Sequence, residues 1–252
     1  MKQNILLLLS GILIWCTISC SYLPEEIDLA SGMEVGETVN YISLKPTAVT
    51  SSKTGLVFYP GGLVDPHAYI QTLQGLVIDG YPVVIVKASA NLAITNMNKA
   101  ESCKVAFPEV ERWVLSGHSL GGVVSCIDVY KAPSKYVGIV LMASYTDENS
   151  DLVDWDGAVL SLYGENDALA TPERIRGDAV FLPEAITVTN LVDMPSSPTG
   201  GQTIYHEIKG GNHAQFGSYG AQSKDGTASI TPGEQHAEVV DYIRSFFNAN
   251  NW

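Results

Sequence analysis

The fold is decided by the stretch Trp113-Val114-Leu115-Ser116-Gly117-His118-Ser119-Leu120-Gly121-Gly122. An apolar run leads into Gly-x-Ser-x-Gly, and small residues at helical spacing follow, an order typical of a strand, a tight turn and a helix. Such a turn leaves no room for side chains at Gly117 and Gly121. It lifts the Ser119 hydroxyl out of the sheet, beside the free amide of Leu120 at the start of the helix. The pattern predicts a nucleophilic serine with an oxyanion donor; a glycine-rich turn that happens to contain serine is the alternative.

A serine hydroxyl is a weak nucleophile alone, so the motif predicts an acid and a histidine further along the chain. His213 follows the strand-like run Thr203–Ile208 in a flexible turn, at the end of a strand where catalytic groups of parallel sheets gather. We therefore predict His213 as the base; a loop histidine that caps a helix is the alternative. Three other histidines are expected to serve as a strand residue, a helix-surface residue and a packing neighbour of the serine (His206, His236 and His118).

Asp167 is the predicted acid. It follows the buried apolar run Ala158–Gly164 and precedes Thr171-Pro172, a typical helix start. A carboxylate held there can hydrogen-bond the far nitrogen of an imidazole and fix its tautomer. A helix cap is the structural alternative for Asp167. Glu165 is the main competitor for the role of acid, and three aspartates of the preceding loop are weaker ones (Asp151, Asp154 and Asp156).

A second oxyanion donor is expected after the strand Leu56–Tyr59, where Pro60-Gly61-Gly62-Leu63 follows. Its glycines allow the backbone to approach a bound carbonyl group closely. The amide of Gly62 or of Leu63 is the predicted donor, and it would pair with the amide of Leu120.

Taken in order, these motifs resemble the α/β-hydrolase superfamily, in a compact subgroup loosely similar to dienelactone hydrolases. The similarity covers roughly Thr54–Phe247 and includes the stretch Gly211-Asn212-His213-Ala214-Gln215-Phe216-Gly217. It implies an α/β-hydrolase fold and cleavage of carboxylic esters or related small-molecule acyl compounds through a Ser–His–Asp triad and an acyl-enzyme. Dienelactone hydrolases proper use cysteine where this chain has Ser119, which favours ester chemistry over lactone opening. Thioesterase and acyl-transfer reactions use the same parts, and a non-catalytic binding module is the rival hypothesis.

Six apolar runs alternate with helical patterns, which predicts a single domain over residues 38–252 with a mostly parallel sheet and helices on both faces. The runs are Leu56–Tyr59, Val83–Val86, Trp113–Leu115, Val137–Met142, Val159–Tyr163 and Thr203–Ile208. Larger relatives insert a lid domain where this chain has Tyr145–Asp156. Because that stretch is short and acidic, we expect no lid.

Residues 1–19 resemble a bacterial lipoprotein signal peptide, with a basic start and an apolar core, Ile5–Trp15, too short to span a bilayer. We predict cleavage before Cys20, lipidation of Cys20 and a tether over residues 20–37, so that an exported protein is anchored in the cell envelope. Thr17 stands where leucine is usual at such a processing site. A secreted protein cleaved nearby and a retained membrane anchor are therefore the alternatives.

The formal charge of −13 disfavours binding to nucleic acid and to anionic lipid. An exported setting permits a disulfide between Cys103 and Cys126, although two buried thiols in predicted helices are the favoured interpretation. The sequence contains no CxxC, HExxH or phosphate-loop motif. We therefore expect no metal, nucleotide or other cofactor.

Overall fold

The computed structural model describes residues 21–252 of the chain. These residues contain nine strands and five α-helices, joined by loops and 3-10 turns. The strands are β1 (Met33–Glu37), β2 (Tyr41–Pro46), β3 (Thr54–Tyr59), β4 (Val83–Val86), β5 (Arg112–His118), β6 (Gly138–Met142), β7 (Ala158–Gly164), β8 (Glu184–Thr187) and β9 (Gln202–Ile208). The helices are α1 (Ile70–Ile78), α2 (Lys99–Cys103), α3 (Leu120–Lys131), α4 (Pro172–Gly177) and α5 (Pro232–Ala249).

All nine strands belong to one sheet, in the order β1-β2-β4-β3-β5-β6-β7-β9-β8. The first two strands pair antiparallel with their neighbours, and every pair from β4 to β8 along that order is parallel. The carboxyl ends of β3, β5, β7 and β9 therefore meet at one edge of the sheet, where ligands bind in open parallel sheets. The predicted α/β class with a mostly parallel sheet is confirmed.

Both faces of the sheet centre are covered, because every residue of β3, β4, β6 and β7 is buried. Helix α3 lies against β3, β5 and β6, while α1 packs on α5 and contacts β2 and β4. Helix α5 begins after Thr231, whose hydroxyl accepts the amide of Glu234 while that carboxylate accepts the Thr231 amide. This capping box fixes the start of the helix that supports the loop after β9.

Three strands are absent from the sequence prediction: β1, β2 and β8. The two outermost strands, β1 and β8, are largely exposed, and β2 alternates buried and partly exposed residues, so none of them forms a continuous apolar run. Residues 33–37 of the expected tether are β1, which pairs with β2 along its length. The predicted signal peptide, residues 1–19, and the predicted lipidation site, Cys20, lie outside the described residues.

Between β6 and β7 the chain forms a loop with one 3-10 turn, Glu148–Ser150, and inserts no further domain. Cys103 and Cys126 are both buried and both free, so the alternative of a disulfide between them is wrong. Burial raises the pKa of the Cys126 thiol to about 12. No helix within residues 21–252 combines the length and the apolar character needed to cross a membrane.

Candidate active site

Ser119 occupies a strained turn between the end of β5 and the start of α3, with φ 51° and ψ −123°. Its amide donates to the Met142 carbonyl at 3.0 Å, and its carbonyl accepts from the Ser144 hydroxyl at 2.7 Å. A Cβ atom on Gly121 would lie 2.1 Å from the Tyr59 carbonyl oxygen, and one on Gly117 would lie 2.3 Å from the carbonyl carbon of Gly121. The two glycines of the motif are therefore required by close backbone approach, the reason inferred from the sequence.

Asp167 and His213 form a hydrogen-bonded pair at the same edge of the sheet. Asp167 Oδ2 lies 2.7 Å from His213 Nδ1, and both side chains are buried. The other carboxylate oxygen accepts from the amides of Leu169 and Ala170, at 2.8 and 2.7 Å, which fixes the orientation of the carboxylate. Since Nδ1 faces a carboxylate, it carries the proton, and no residue among 21–252 hydrogen-bonds Nε2.

The loop that carries His213 is held by two side chains that the sequence prediction missed. Gln235 of α5 accepts the amide of Asn212 at 3.1 Å and donates to its carbonyl at 2.9 Å. Asp225 accepts the amide of Ala214 at 2.8 Å through Oδ2 and that of Ala168 at 3.3 Å through Oδ1. Asp225 thus joins the loop of Asp167 to the loop of His213. No local motif marks either residue, because both act through backbone groups distant in sequence.

His118 joins the serine turn to the histidine loop. Its ring centroid lies 4.5 Å from that of His213, and its ring stacks on that of Phe216, with centroids 5.6 Å apart. The Tyr69 hydroxyl lies 2.9 Å from His118 Nδ1. Burial, followed by the neighbouring His213, lowers the pKa of His118 well below its usual value. His118 is therefore neutral at pH 7 and adds no positive charge beside His213.

One of the three backbone amides predicted as candidate oxyanion donors is already hydrogen-bonded within the protein. Leu63 donates its amide to the Asn91 carbonyl at 2.7 Å, so the prediction of Leu63 as a donor is wrong. The amides of Gly62 and Leu120 have no acceptor within residues 21–252. The two residues adjoin, since a Cβ on Gly62 would lie 3.3 Å from Leu120 Cδ2. Gly62 and Leu120 are thus the pair of candidate donors beside Ser119.

The competing carboxylates are engaged elsewhere. Glu165 Oε2 accepts the Gly210 amide at 2.9 Å and Oε1 lies 3.2 Å from Lys209 Nζ, and these contacts lower the pKa of Glu165. The three aspartates of the preceding loop lie before β7, at the opposite end of that strand from Asp167 (Asp151, Asp154 and Asp156). The histidine expected on a helix surface, His236, is instead buried, because the 3-10 turn Ala214–Phe216 packs against α5.

Residues 55–237 match the model of the alpha/beta hydrolase family, which is more than half of the chain. The chain belongs to the alpha/beta hydrolase family. A comparison with curated proteins finds no match in sequence.

Solved structures of esterases and of another alpha/beta hydrolase are similar in fold to this chain. Est1E from Butyrivibrio proteoclasticus is 10% identical with a TM-score of 0.57, over 86% of this chain and 99% of its own. A thermophilic esterase from Thermogutta terrifontis is 13% identical with a TM-score of 0.57, over 87% of this chain and 95% of its own. MGS-MChE2, an alpha/beta hydrolase enzyme from a lagoon-sediment metagenome, is 15% identical with a TM-score of 0.57, over 87% of this chain and 100% of its own. At these identities the likeness shows the fold alone.

Proposed function

We propose that this hydrolase cleaves carboxylic esters or related acyl compounds through Ser119, His213 and Asp167, by way of an acyl-enzyme. The observation that carries the proposal is the 2.7 Å bond between buried Asp167 and His213. The His213 ring lies against that of His118, which directly precedes a serine held in a strained turn. We also propose that, within the alpha/beta hydrolase family, the chain belongs to a compact subgroup loosely similar to dienelactone hydrolases.

The arrangement supports a two-step reaction. Ser119 Oγ attacks the acyl carbon while His213 Nε2 takes the hydroxyl proton, and the amides of Gly62 and Leu120 stabilise the oxyanion. The alcohol leaves with the proton from Nε2, and the acyl group remains on Ser119. Water then attacks the acyl carbon, gives a proton to Nε2 and releases the acid, and the proton returns to Ser119 Oγ. Asp167 stays ionised throughout and stabilises the imidazolium.

Covalent labelling by a fluorophosphonate probe tests the proposal. The probe reacts with serines that a neighbouring base activates, so we expect the wild-type protein to be labelled and Ser119→Ala to remain unlabelled. Ser134→Ala removes an exposed serine remote from this edge and serves as the matched control. Absence of labelling in folded wild-type protein would favour a non-catalytic binding module.

We further propose that short, water-soluble esters are the preferred substrates. The loop between β6 and β7 contains Asp147, Glu148, Asp151, Asp154 and Asp156, and it is too short and too charged to cover a long acyl chain. Each buried methylene contributes about 0.8 kcal/mol, so kcat/KM should stop rising after a few carbons where no apolar tunnel exists. We expect p-nitrophenyl esters from acetate to palmitate to show this; a maximum among the long chains contradicts it.

The proposal for localisation rests on the sequence of residues 1–20. We propose that the protein is exported and anchored through a lipidated Cys20. The wild-type protein should then incorporate labelled fatty acid and partition into detergent, whereas Cys20→Ala should do neither. Cys16→Ala is the matched control, because Cys16 follows Trp15 and is the poorer candidate. A soluble, unacylated mature protein from wild-type cells would exclude the anchor.

A further inference from the structure

The beginning of the described chain contacts the loop of the candidate oxyanion hole. The amide of Tyr22 donates to the Leu63 carbonyl at 2.8 Å, and the Tyr22 carbonyl accepts the amide of Asp65 at 2.9 Å. These two bonds form a parallel bridge across Val64, just after Gly62. The hydroxyl of Ser21 accepts from Asn91 Nδ2 at 3.3 Å, and Asn91 in turn accepts the Leu63 amide.

The side chain of Tyr22 reaches a second loop, the one that follows His213. Its ring centroid lies 5.5 Å from that of Tyr219, and its hydroxyl accepts the amide of Ser223 at 3.3 Å. The Tyr219 ring lies 6.4 Å from that of Tyr69, whose hydroxyl accepts the amide of Gly61 at 2.9 Å. One residue therefore contacts both loops by its backbone and its ring.

The segment that carries Tyr22 is fixed further along by the body of the protein. The amide of Glu25 donates to the Ser218 carbonyl at 2.8 Å. Gln74 of α1 donates to the Asp28 carbonyl at 3.1 Å and accepts the amide of Ala30 at 2.9 Å. Helix α1 thus anchors this segment, so Tyr22 is attached at both sides of the site rather than carried on a free tether.

We propose that Tyr22 is a positioning residue that keeps the Gly62 amide at a fixed position relative to the loop of His213 during catalysis. The inference rests on the proposed function, since it assigns to Gly62 the role of oxyanion donor. An oxyanion donor contributes only when it meets the developing charge at hydrogen-bond distance, and misplacement by about 1 Å can cost about 10²-fold in rate. Loss of the Tyr22 ring removes its contacts with Tyr219 and Ser223 and so weakens the hold of the segment on Leu63 and Asp65. The bond from the Glu25 amide to the Ser218 carbonyl remains.

Steady-state kinetics of Tyr22→Ala in the full chain test the inference. We expect kcat to fall about tenfold with KM little changed, because the displaced amide serves the transition state more than the bound ester. The rate of fluorophosphonate labelling of Ser119 should fall in parallel. Tyr22→Phe keeps the ring and loses one 3.3 Å hydrogen bond, so it should restore most of the rate. Leu23→Ala removes a neighbouring side chain that is 67% exposed and is the matched control.

A purely structural role would lower the unfolding temperature of Tyr22→Ala and leave kcat of the folded enzyme at the wild-type value, and that result overturns the inference. If Tyr22→Ala does not fold, Tyr22→Leu keeps apolar bulk and is read in the same way. Unchanged kcat in the Tyr22 variants of an active enzyme overturns the inference alone. Absence of Ser119-dependent turnover in the wild-type enzyme overturns the proposed function and the inference with it.

Discussion

Two buried histidines, His206 and His213, each contact a carboxylate, and the two pairs differ in what the second ring nitrogen contacts. His206, within β9, has Nε2 2.6 Å from Glu238 and Nδ1 3.0 Å from the Val188 carbonyl. Its ring also stacks on Tyr242, with centroids 3.6 Å apart. His213, just beyond the end of β9, has Nδ1 2.7 Å from Asp167, while Nε2 has no partner in the described part of the chain.

The difference separates a structural pair from a pair suited to catalysis. Both ring nitrogens of His206 face acceptors, so neither can take a proton from a serine. His213 keeps one nitrogen able to accept a proton, and it lies beside His118, which precedes the candidate nucleophile. A carboxylate partner is thus insufficient to mark a catalytic histidine; the position beyond the strand end, with a free nitrogen, is what distinguishes it.

The largest expected effect concerns Asp167, the carboxylate partner of His213. Asp167→Asn preserves shape but removes the charge that orients the imidazole, so we expect kcat to fall by about 10⁴-fold with the fold intact. Ester turnover and circular dichroism of the purified variant measure the two quantities. Glu165→Gln is the matched control and should leave kcat unchanged, because its carboxylate caps the Gly210 amide instead. A large loss in Glu165→Gln with none in Asp167→Asn would reverse the assignment of the acid.

A smaller effect, on the free energy of unfolding, is expected for the pair formed by His206 and Glu238. His206→Gln loses the ring stacked on Tyr242 and disturbs two hydrogen bonds, so the free energy of unfolding should fall by about 1–3 kcal/mol. Turnover of the folded variant should stay at the wild-type value. Urea denaturation and ester kinetics on one sample measure both. A loss of kcat out of proportion to the loss of stability would mean that the first pair also serves the reaction.

The smallest effect concerns a buried histidine without a carboxylate partner, His236. Burial lowers its pKa, and its Nε2 has no hydrogen-bond partner within residues 21–252. The unfolded chain therefore takes up a proton near the usual histidine pKa of about 6.5, at a higher pH than the folded protein does. Stability is consequently lost as the pH falls below that value. We expect His236→Phe to make the decline in unfolding free energy between pH 7 and pH 5 less steep. An unchanged slope would contradict the assignment of a neutral His236.

Much of the site could be predicted from the sequence, because its chemistry depends on local patterns. The Gly-x-Ser-x-Gly turn and the polar residues just after apolar strands place Ser119, Asp167 and His213 at one edge of a parallel sheet. The structure brings Asp167 and His213 together and sets His213 against the neighbour of Ser119. Their catalytic roles stay predictions until the variants are measured.

The remaining features depend on contacts between distant segments, which local patterns do not encode. The bond from the Leu63 amide to Asn91 removes one of two adjacent candidate donors, and nothing in the glycine-rich loop itself distinguishes them. His236 is buried by a turn some 20 residues earlier in the chain, although its helix looks amphipathic. The attachment of Tyr22 to two loops likewise crosses most of the sequence.

The central claim is that His213, and not His206, activates Ser119. The rate at which a fluorophosphonate labels Ser119 in His213→Gln and in His206→Gln, measured side by side, tests it most directly. The account predicts a loss of about 10³-fold or more in His213→Gln and the wild-type rate in folded His206→Gln. Equal rates in the two variants, or a greater loss in His206→Gln, would contradict it.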